Sequence, residues 1–125
     1  REMSDFLTIE DIIGIHDMSI SAYGCIYGIR DINLLKSAVS RSQCGYYNDI
    51  IEEGCALMES LIINYPFIDS NKRTAFASFH CFLKINGMDI NTSSDVLYDL
   101  IIKWITSDPH ERYEMMVWDI KSIIN

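Results

Sequence analysis

The residues at positions 69 to 73 combine a carboxylate, two small polar side chains and two cations in an order that suits phosphate binding. Pro66 disfavours helical backbone at the residue before it, while residues 69–71 (Asp-Ser-Asn) favour a helix start. A loop therefore leads into a helix. The first turn of a helix offers unpaired N–H groups and the positive end of the helix dipole, and Lys72 and Arg73 add charge beside them. This stretch predicts a polyanion site.

Asp69 precedes that first turn and offers oxygen ligands to a cation. Magnesium is usually held by one or two carboxylates together with phosphate oxygens and water, so Asp69 could hold an ion against a bound phosphate. Seen alone, an Asn-Lys-Arg sequence at a helix start is more often an ordinary solvated cap. The local pattern therefore leaves both interpretations open.

Six helices are expected to position these residues, because apolar residues recur at helical spacing between capping residues. The helix that carries Lys72 and Arg73 is apolar on almost every side, which predicts a central position. We therefore expect an all-α fold, a compact bundle of about six helices in one domain over residues 1–125. The expected helices lie between Thr8 and Gly24, from Asp31 to about Arg41, from Asp49 or Ile50 to Asn64, from about Asn71 to Asn86, from Ser93 or Ser94 to Ile105, and from Pro109 to Ile124.

The composition is that of an acidic chain rich in apolar residues: 49% of its 125 residues are hydrophobic, and the formal net charge is -8. Non-specific nucleic-acid binding depends on clustered Lys and Arg, so direct binding to nucleic acid is not expected. No apolar run is long enough to cross a membrane, and the first residues are too charged for a signal peptide. We therefore expect a cytoplasmic protein.

Several polar residues outside the phosphate-binding stretch are expected to be structural. His16 lies on an apolar helical face, which is typical of a hydrogen-bonded core histidine. Arg30 and Arg41 flank the second helix, where surface or ion-pair roles are commoner than ligand binding. The four cysteines lack metal-binding spacing and predict buried free thiols in a cytosolic chain. They are Cys25, Cys44, Cys55 and Cys81.

The decapeptide from Pro66 to Ala75 (PFIDSNKRTA) resembles the core motif of the Fic/Doc family, and its Asn-Lys-Arg-Thr-Ala form resembles the Doc branch. Residues on both sides also match Doc-like proteins, so the resemblance covers roughly Phe6 to Ile124. The supporting matches are Tyr23-Gly24, Gly28 to Asp31, Leu34-Leu35, Ser37-Ala38, Phe82-Leu83 and Asn86-Gly87.

This resemblance implies a site for ATP, or another nucleoside triphosphate, with Mg²⁺. Asp69 would hold the metal ion, and the neighbouring cations would neutralise the charge that develops as a phosphate is transferred. The other implied roles follow the motif: Pro66 and Phe67 would fix the loop, the N–H groups around Ser70 and Asn71 with the Asn71 amide would hold phosphate, and Lys72 and Arg73 would both bind phosphate and act in catalysis.

Tyr65 departs from the family pattern, because the family has a histidine at this position. That histidine is the family's general base, which takes the proton from the attacking hydroxyl. An imidazole with a pKa near ~6.5 accepts a proton at neutral pH, whereas a phenol with a pKa near ~10 is already protonated. Loss of a positioned base typically costs about 10²- to 10⁴-fold in rate, so nucleotide binding with poor transfer is expected. A deliberate change and a naturally degenerate copy would both give this residue.

Residues 43–49 contain turn-forming and aromatic residues and predict a short loop or flap. In Fic/Doc proteins a small flap holds the backbone of the target by strand addition, which makes Tyr46 and Tyr47 candidates for substrate docking. The alternative is that these two tyrosines only cover the edge of the core.

The resemblance implies a toxin of a toxin–antitoxin system that phosphorylates a translation factor, elongation factor Tu in the case of Doc. Glu53-Gly54 lacks the Ser or Thr that marks an internal inhibitory helix, so a separate antitoxin chain is the expected inhibitor. A Fic-type nucleotidyltransferase (AMPylation) is an alternative, although Phe76 stands where such enzymes usually have a second arginine. The remaining alternative is a catalytically dead module that binds nucleotide, target or antitoxin.

Overall fold

A computed structural model describes residues 3–124, and six α-helices account for most of them. The all-α prediction is confirmed, and so is the prediction of about six helices. The described residues contain no β-strand, only one isolated antiparallel bridge between Ile29 and Phe67. The helices are α1 Ile9–Tyr23, α2 Ile32–Ser42, α3 Ile50–Asn64, α4 Asn71–Ile85, α5 Ser94–Ile105 and α6 Pro109–Ile123.

The predicted capping residues explain where most helices begin. Thr8 accepts a hydrogen bond from the N–H of Asp11, whose carboxylate accepts one in return from the N–H of Thr8. The carboxylates of Asp31 and Asp49 cap α2 and α3 by accepting hydrogen bonds from N–H groups of the first turn. Such a cap typically stabilises a helix by about 1 kcal/mol. Local chemistry therefore fixes these three helix starts.

The centre of the bundle is shared by α3 and α4. Helix α3 is buried over ten consecutive residues, Glu53 to Ile62, and α4 packs tightly along it. Gly54 permits the close contact, because a Cβ atom there would lie only 2.8 Å from the ring of Phe79. The helix that carries the phosphate-binding stretch is thus central, as predicted, and α3 encloses it on one side.

Charged side chains join α2, α3 and α6, and two of them, Glu59 and Arg112, are buried. A guanidinium nitrogen of Arg41 lies 2.8 Å from a carboxylate oxygen of Glu59, and a nitrogen of Arg112 lies 3.8 Å from the other oxygen. Arg112 also donates to the carbonyl oxygen of Trp104. The structural ion-pair role predicted for Arg41 is confirmed.

All four cysteines are free thiols. Cys55 is fully buried, and burial raises the pKa of its thiol. Cys44 is exposed, because it lies where the chain leaves α2 and turns towards α3, and Cys25 and Cys81 are half-buried. The prediction of a buried thiol is therefore right only at Cys55. None of the helices in residues 3–124 is long and apolar enough to cross a bilayer.

Candidate phosphate-binding site

The motif loop, residues 65–70, connects α3 to α4 and has an unusual backbone at both ends. Tyr65 has φ 49° and ψ 60°, and Ser70 has φ 61° and ψ 27°, both in the left-handed region. These are the two non-glycine residues with positive φ in the described chain. Residues with a Cβ atom adopt this region at a cost of about 1–3 kcal/mol and keep it only where the surroundings enforce it. The loop must therefore be held by specific contacts.

Asn71 supplies the first of these contacts. Its side-chain oxygen accepts a hydrogen bond from the N–H of Phe67 at 3.0 Å, and its amide nitrogen donates to the carbonyl oxygen of Phe67 at 2.9 Å. The family resemblance implied a phosphate contact for this amide. In the structure both ends of the amide brace the loop.

Phe67 is buried and locks the middle of the loop against α1. Its ring stacks on the imidazole of His16, with 3.8 Å between the ring centroids and 7° between the planes. The Nε2 atom of His16 also lies 2.8 Å from the carbonyl oxygen of Asp69, so Nε2 carries the hydrogen and donates. The prediction of a hydrogen-bonded core histidine is confirmed.

Asp69 lies at the amino end of α4, and both of its carboxylate oxygens accept backbone hydrogen bonds. One oxygen accepts from the N–H of Ile26 at 3.2 Å and the other from the N–H of Ser70 at 2.8 Å. These two bonds lower the pKa of Asp69, so it is ionised at neutral pH. The N–H of Ser70 is consequently engaged. The next N–H groups, those of Asn71 and Lys72, belong to a first turn whose geometry provides no intrahelical acceptor.

The two cations of the motif lie beside this turn. Within residues 3–124 neither Lys72 nor Arg73 forms an ion pair. Arg73 is exposed, and its guanidinium lies 4.0 Å above the ring of Tyr23 and 3.6 Å from the sulfur of Cys25. Two positive charges are therefore available to an anion at the end of the helix dipole.

Lys72 and Arg73 also line a cavity of about 570 Å³ between α1, α4 and α5. Most of its wall is apolar, and Asp95 and Ser94 add polar groups from the start of α5. The positive end of α4 thus opens onto an apolar groove. Its other lining residues include Ile15, Met18, Tyr23, Phe76, Tyr98 and Ile101.

Tyr65 is 44% exposed and stands at the carboxyl end of α3, directly before Pro66. Its carbonyl oxygen accepts a hydrogen bond from Nε of Arg30, and the carbonyl oxygen of Asn64 accepts one from Nη2, each at 2.6 Å. Arg30 was not predicted to belong to the site, because these partners lie 34 and 35 residues further along the chain.

The α1–α2 loop, residues 24–31, runs alongside the motif loop. Ile29 bridges Phe67, and the N–H of Ile68 donates to the carbonyl oxygen of Gly28 at 3.0 Å. The side chain of Ile68 covers Gly28, where a Cβ atom would collide with it. These contacts bring residues 26–31 next to the site.

The structure does not bring the predicted flap tyrosines to the motif loop. Tyr46 and Tyr47 precede α3, whose 15 residues separate them from the motif loop by roughly 20 Å. The hydroxyl of Tyr47 accepts a hydrogen bond from Arg41 at 2.8 Å, which fits the alternative role at the core edge, while Tyr46 is 83% exposed. The docking role of Tyr46 and Tyr47 stays a prediction, and the connection that lies against the motif loop is the α1–α2 loop.

The fold and this site together define a class of protein. The Fic/DOC family model matches residues 6–83, more than half of the chain, and the chain belongs to that family. Within it the chain lies in the Doc branch. It is 34% identical over 99 residues to "Toxin Doc" of Mycolicibacterium smegmatis, a match that covers 75% of this chain and 74% of that protein. It is 30% identical over 103 residues to "Protein kinase doc" of Escherichia phage P1, covering 79% of this chain and 81% of that protein.

Proposed function

We propose that this chain is a Doc-like toxin of a toxin–antitoxin system, with a site for ATP and Mg²⁺ and a family reaction that passes phosphate to a hydroxyl of a translation factor. Elongation factor Tu is the target that the resemblance suggests. The observation that carries the proposal is the amino end of α4, where a braced loop, free first-turn N–H groups and two unpaired cations meet. The likeness to a toxin and to a protein kinase of the Doc branch supports it.

Asp69 fits the proposed metal ion in a limited way. The described residues contain no group of three or more His, Cys, Asp and Glu that could hold a metal alone. Asp69 is ionised and each of its oxygens retains acceptor capacity beyond the one backbone bond it receives. A single carboxylate together with phosphate oxygens is an arrangement that Mg²⁺ accepts, and the bound ion would neutralise phosphate charge.

The remaining residues would act on the phosphates directly. The N–H groups of Asn71 and Lys72 would donate to phosphate oxygens, and the side chains of Lys72 and Arg73 would neutralise the charge that develops as the phosphoryl group leaves. Tyr65 would stand where the family places its base. Because its phenol is a poor proton acceptor, the chain would bind nucleotide and transfer phosphate slowly.

The α1–α2 loop is the better candidate for target docking. Ile26 and Tyr27 are 63% and 59% exposed, and Ile68 of the adjoining motif loop is 54% exposed. An exposed apolar strip beside a polar site is typical of a protein contact surface. A target segment bound along this strip would reach the amino end of α4. A segment bound at residues 43–49 would not.

The apolar groove between α1, α4 and α5 is the proposed antitoxin site. An antitoxin segment that folds as an amphipathic helix would place its apolar face in the groove. Acidic residues at one end of that helix would meet Lys72 and Arg73, which line the groove and the phosphate site at the same time. Occupation of the groove would therefore block phosphate binding.

Labelled nucleotide tests the reaction in the Tyr65→His variant, which restores the family's base. Transfer of the γ-label to the target would support the phosphotransferase, and transfer of the α-label would support the nucleotidyltransferase. Nucleotide binding without transfer of either label would support the binding module, whereas the absence of nucleotide binding would contradict the whole proposal. Tyr65→Phe, which lacks any side-chain base, is the matched control.

Nucleotidyl transfer is the second candidate, since the same helix end would bind a nucleotide in either direction. Phe76 lines the groove at the position where the family's nucleotidyltransferases usually have their second arginine. Its ring supplies no charge for a further phosphate. This favours phosphate transfer.

A further inference from the structure

Arg30 belongs to the α1–α2 loop, yet it holds three consecutive residues at the end of α3. Its side chain donates to the carbonyl oxygens of Asn64 and Tyr65, both at 2.6 Å. Its backbone N–H donates to the carbonyl oxygen of Pro66 at 2.7 Å. One exposed arginine thus bonds every carbonyl from position 64 to position 66.

These hydrogen bonds account for the backbone conformation of Tyr65. A residue with a Cβ atom leaves the left-handed region unless neighbouring bonds prevent it, and Tyr65 has φ 49°. The last carbonyls of α3 also lie at the negative end of its dipole, where a guanidinium is favoured. Arg30 therefore satisfies two terminal carbonyls and keeps position 65 in its unusual conformation.

We propose that Arg30 is a positioning residue for the transfer reaction, because it fixes the backbone at position 65 and with it the direction of the side chain that carries the family's base. This inference rests on the proposed function. The hydrogen bonds of Arg30 join position 65 to the α1–α2 loop. The same loop also contacts Asp69, through the N–H of Ile26. A target docked on that loop would therefore meet a base position and a metal ligand held by one segment.

The geometry distinguishes arginine from lysine at this position. A guanidinium presents donors in a planar fork that can reach two neighbouring carbonyl oxygens, whereas a lysine ammonium keeps the charge as a single compact donor group. Arg30→Lys therefore removes the fork and retains the charge. Lys36→Arg is the matched control, since it is also an exchange between lysine and arginine that keeps the net charge, at an exposed position of α2.

Hydrogen exchange of the chain with Tyr65 in place is the first test. In Arg30→Lys we expect the N–H groups of Phe67 and Ile68 to exchange at least about tenfold faster, the factor that corresponds to loss of one charge-assisted hydrogen bond. Lys36→Arg should leave them unchanged, and the core N–H groups of α3 should stay protected in both variants. Unchanged exchange of the motif loop in Arg30→Lys would overturn the inference, whatever the activity.

Kinetics in the Tyr65→His background form the second test. Arg30→Lys should lower kcat by roughly 10- to 100-fold, the cost of a misplaced reacting group, while the Kd for ATP stays within about twofold. A residue that only stabilises the fold would change neither the kcat nor the ATP affinity of the folded enzyme. An unchanged kcat in an enzyme that transfers phosphate would refute the positioning role alone, whereas failure of the Tyr65→His parent to bind ATP would refute the proposed function.

Discussion

The two ends of α4 are each held by an asparagine side chain, but they differ in which backbone groups they leave without a partner. At the amino end, the amide of Asn71 pairs with both the N–H and the carbonyl oxygen of Phe67. At the carboxyl end, the amide of Asn86 pairs in the same way with the N–H and the carbonyl oxygen of Asp5. Each end of α4 is therefore anchored by an asparagine whose amide bonds both backbone groups of one residue in a neighbouring segment.

Beyond this shared device the carboxyl end is closed and the amino end is open. The N–H groups of Asn86 and Met88 both bond to the carbonyl oxygen of Leu83, and Gly87 takes the left-handed turn that ends the helix. Ser70, by contrast, offers no side-chain cap to the first turn of α4. The other five helices all begin with a side-chain cap, so the open start is particular to this one place in the described chain. A bound anion would supply both the missing acceptor at this uncapped helix start and the negative charge for the two unpaired cations.

The largest expected effect concerns the two acids that flank α4. In the Tyr65→His background, Asp69→Asn should lower the transfer rate by about 10²-fold or more, because the ion that neutralises developing phosphate charge would lose its protein ligand. Asp89→Asn removes an acid that pairs instead with His80, 2.9 Å away near the other end of the helix. Radiolabel transfer measures both. Equal losses in the two variants would contradict the metal role of Asp69.

The two lysines of α4 form the next pair. Lys72→Ala should weaken ATP binding by roughly 10- to 100-fold, since a charge-assisted hydrogen bond contributes about 1.5–3 kcal/mol. Lys84→Ala removes an exposed lysine in the last turn and should leave the Kd within about twofold. Titration calorimetry gives both constants. A similar loss of affinity in Lys84→Ala would show that overall charge, and not the site, governs binding.

The two bracing asparagines separate stability from binding. Asn71→Ala and Asn86→Ala each remove two hydrogen bonds to a neighbouring segment, so each should lower the free energy of unfolding by about 1–3 kcal/mol in urea titrations. Only Asn71→Ala should also weaken ATP binding, because only the amino end positions the motif loop. Normal affinity in a destabilised Asn71→Ala variant would show that the loop keeps its shape without the bracket.

The smallest expected effects come from the left-handed residues at the two ends. Ser70→Gly should raise the free energy of unfolding by about 0.5–1 kcal/mol, since glycine adopts positive φ without steric cost and the buried hydroxyl of Ser70 lacks a partner. Gly87→Ala should lower it by a similar amount, although the space around Gly87 is open, because φ is 81° there. Equal signs in the two variants would contradict the assignment of strain to Ser70.

The helices could be predicted because their signals are local. Thr8, Asp31 and Asp49 cap the helices that the sequence assigned to them, and Pro109 begins α6 as expected. Apolar spacing then indicated which faces would be buried. Each of these signals lies within a few residues of the structure it predicts.

The site was predicted in part, and the omissions share one cause. The order of residues 69–73 indicated a helix start with cations, and the structure agrees. The sequence did not show that the N–H of Ser70 bonds to Asp69, that the Asn71 amide turns back to Phe67, or that Arg30 grips the end of α3. Side chains choose these partners through tertiary packing, and the contacts of Arg30 and Ile26 cross 34 to 43 positions of the chain.

The shape of the site also depends on Gly54, which lies in the interior between α3 and α4. A single added methyl group there would press against the rings of Phe79 and Phe82 and wedge α3 away from α4. The two helices meet again at the motif loop, roughly 16 Å further along α3, so the wedge would widen the span that six residues must cross. Substitution of the buried Gly54 would thus weaken ligand binding, so affinity measurements could detect a packing defect in the interior.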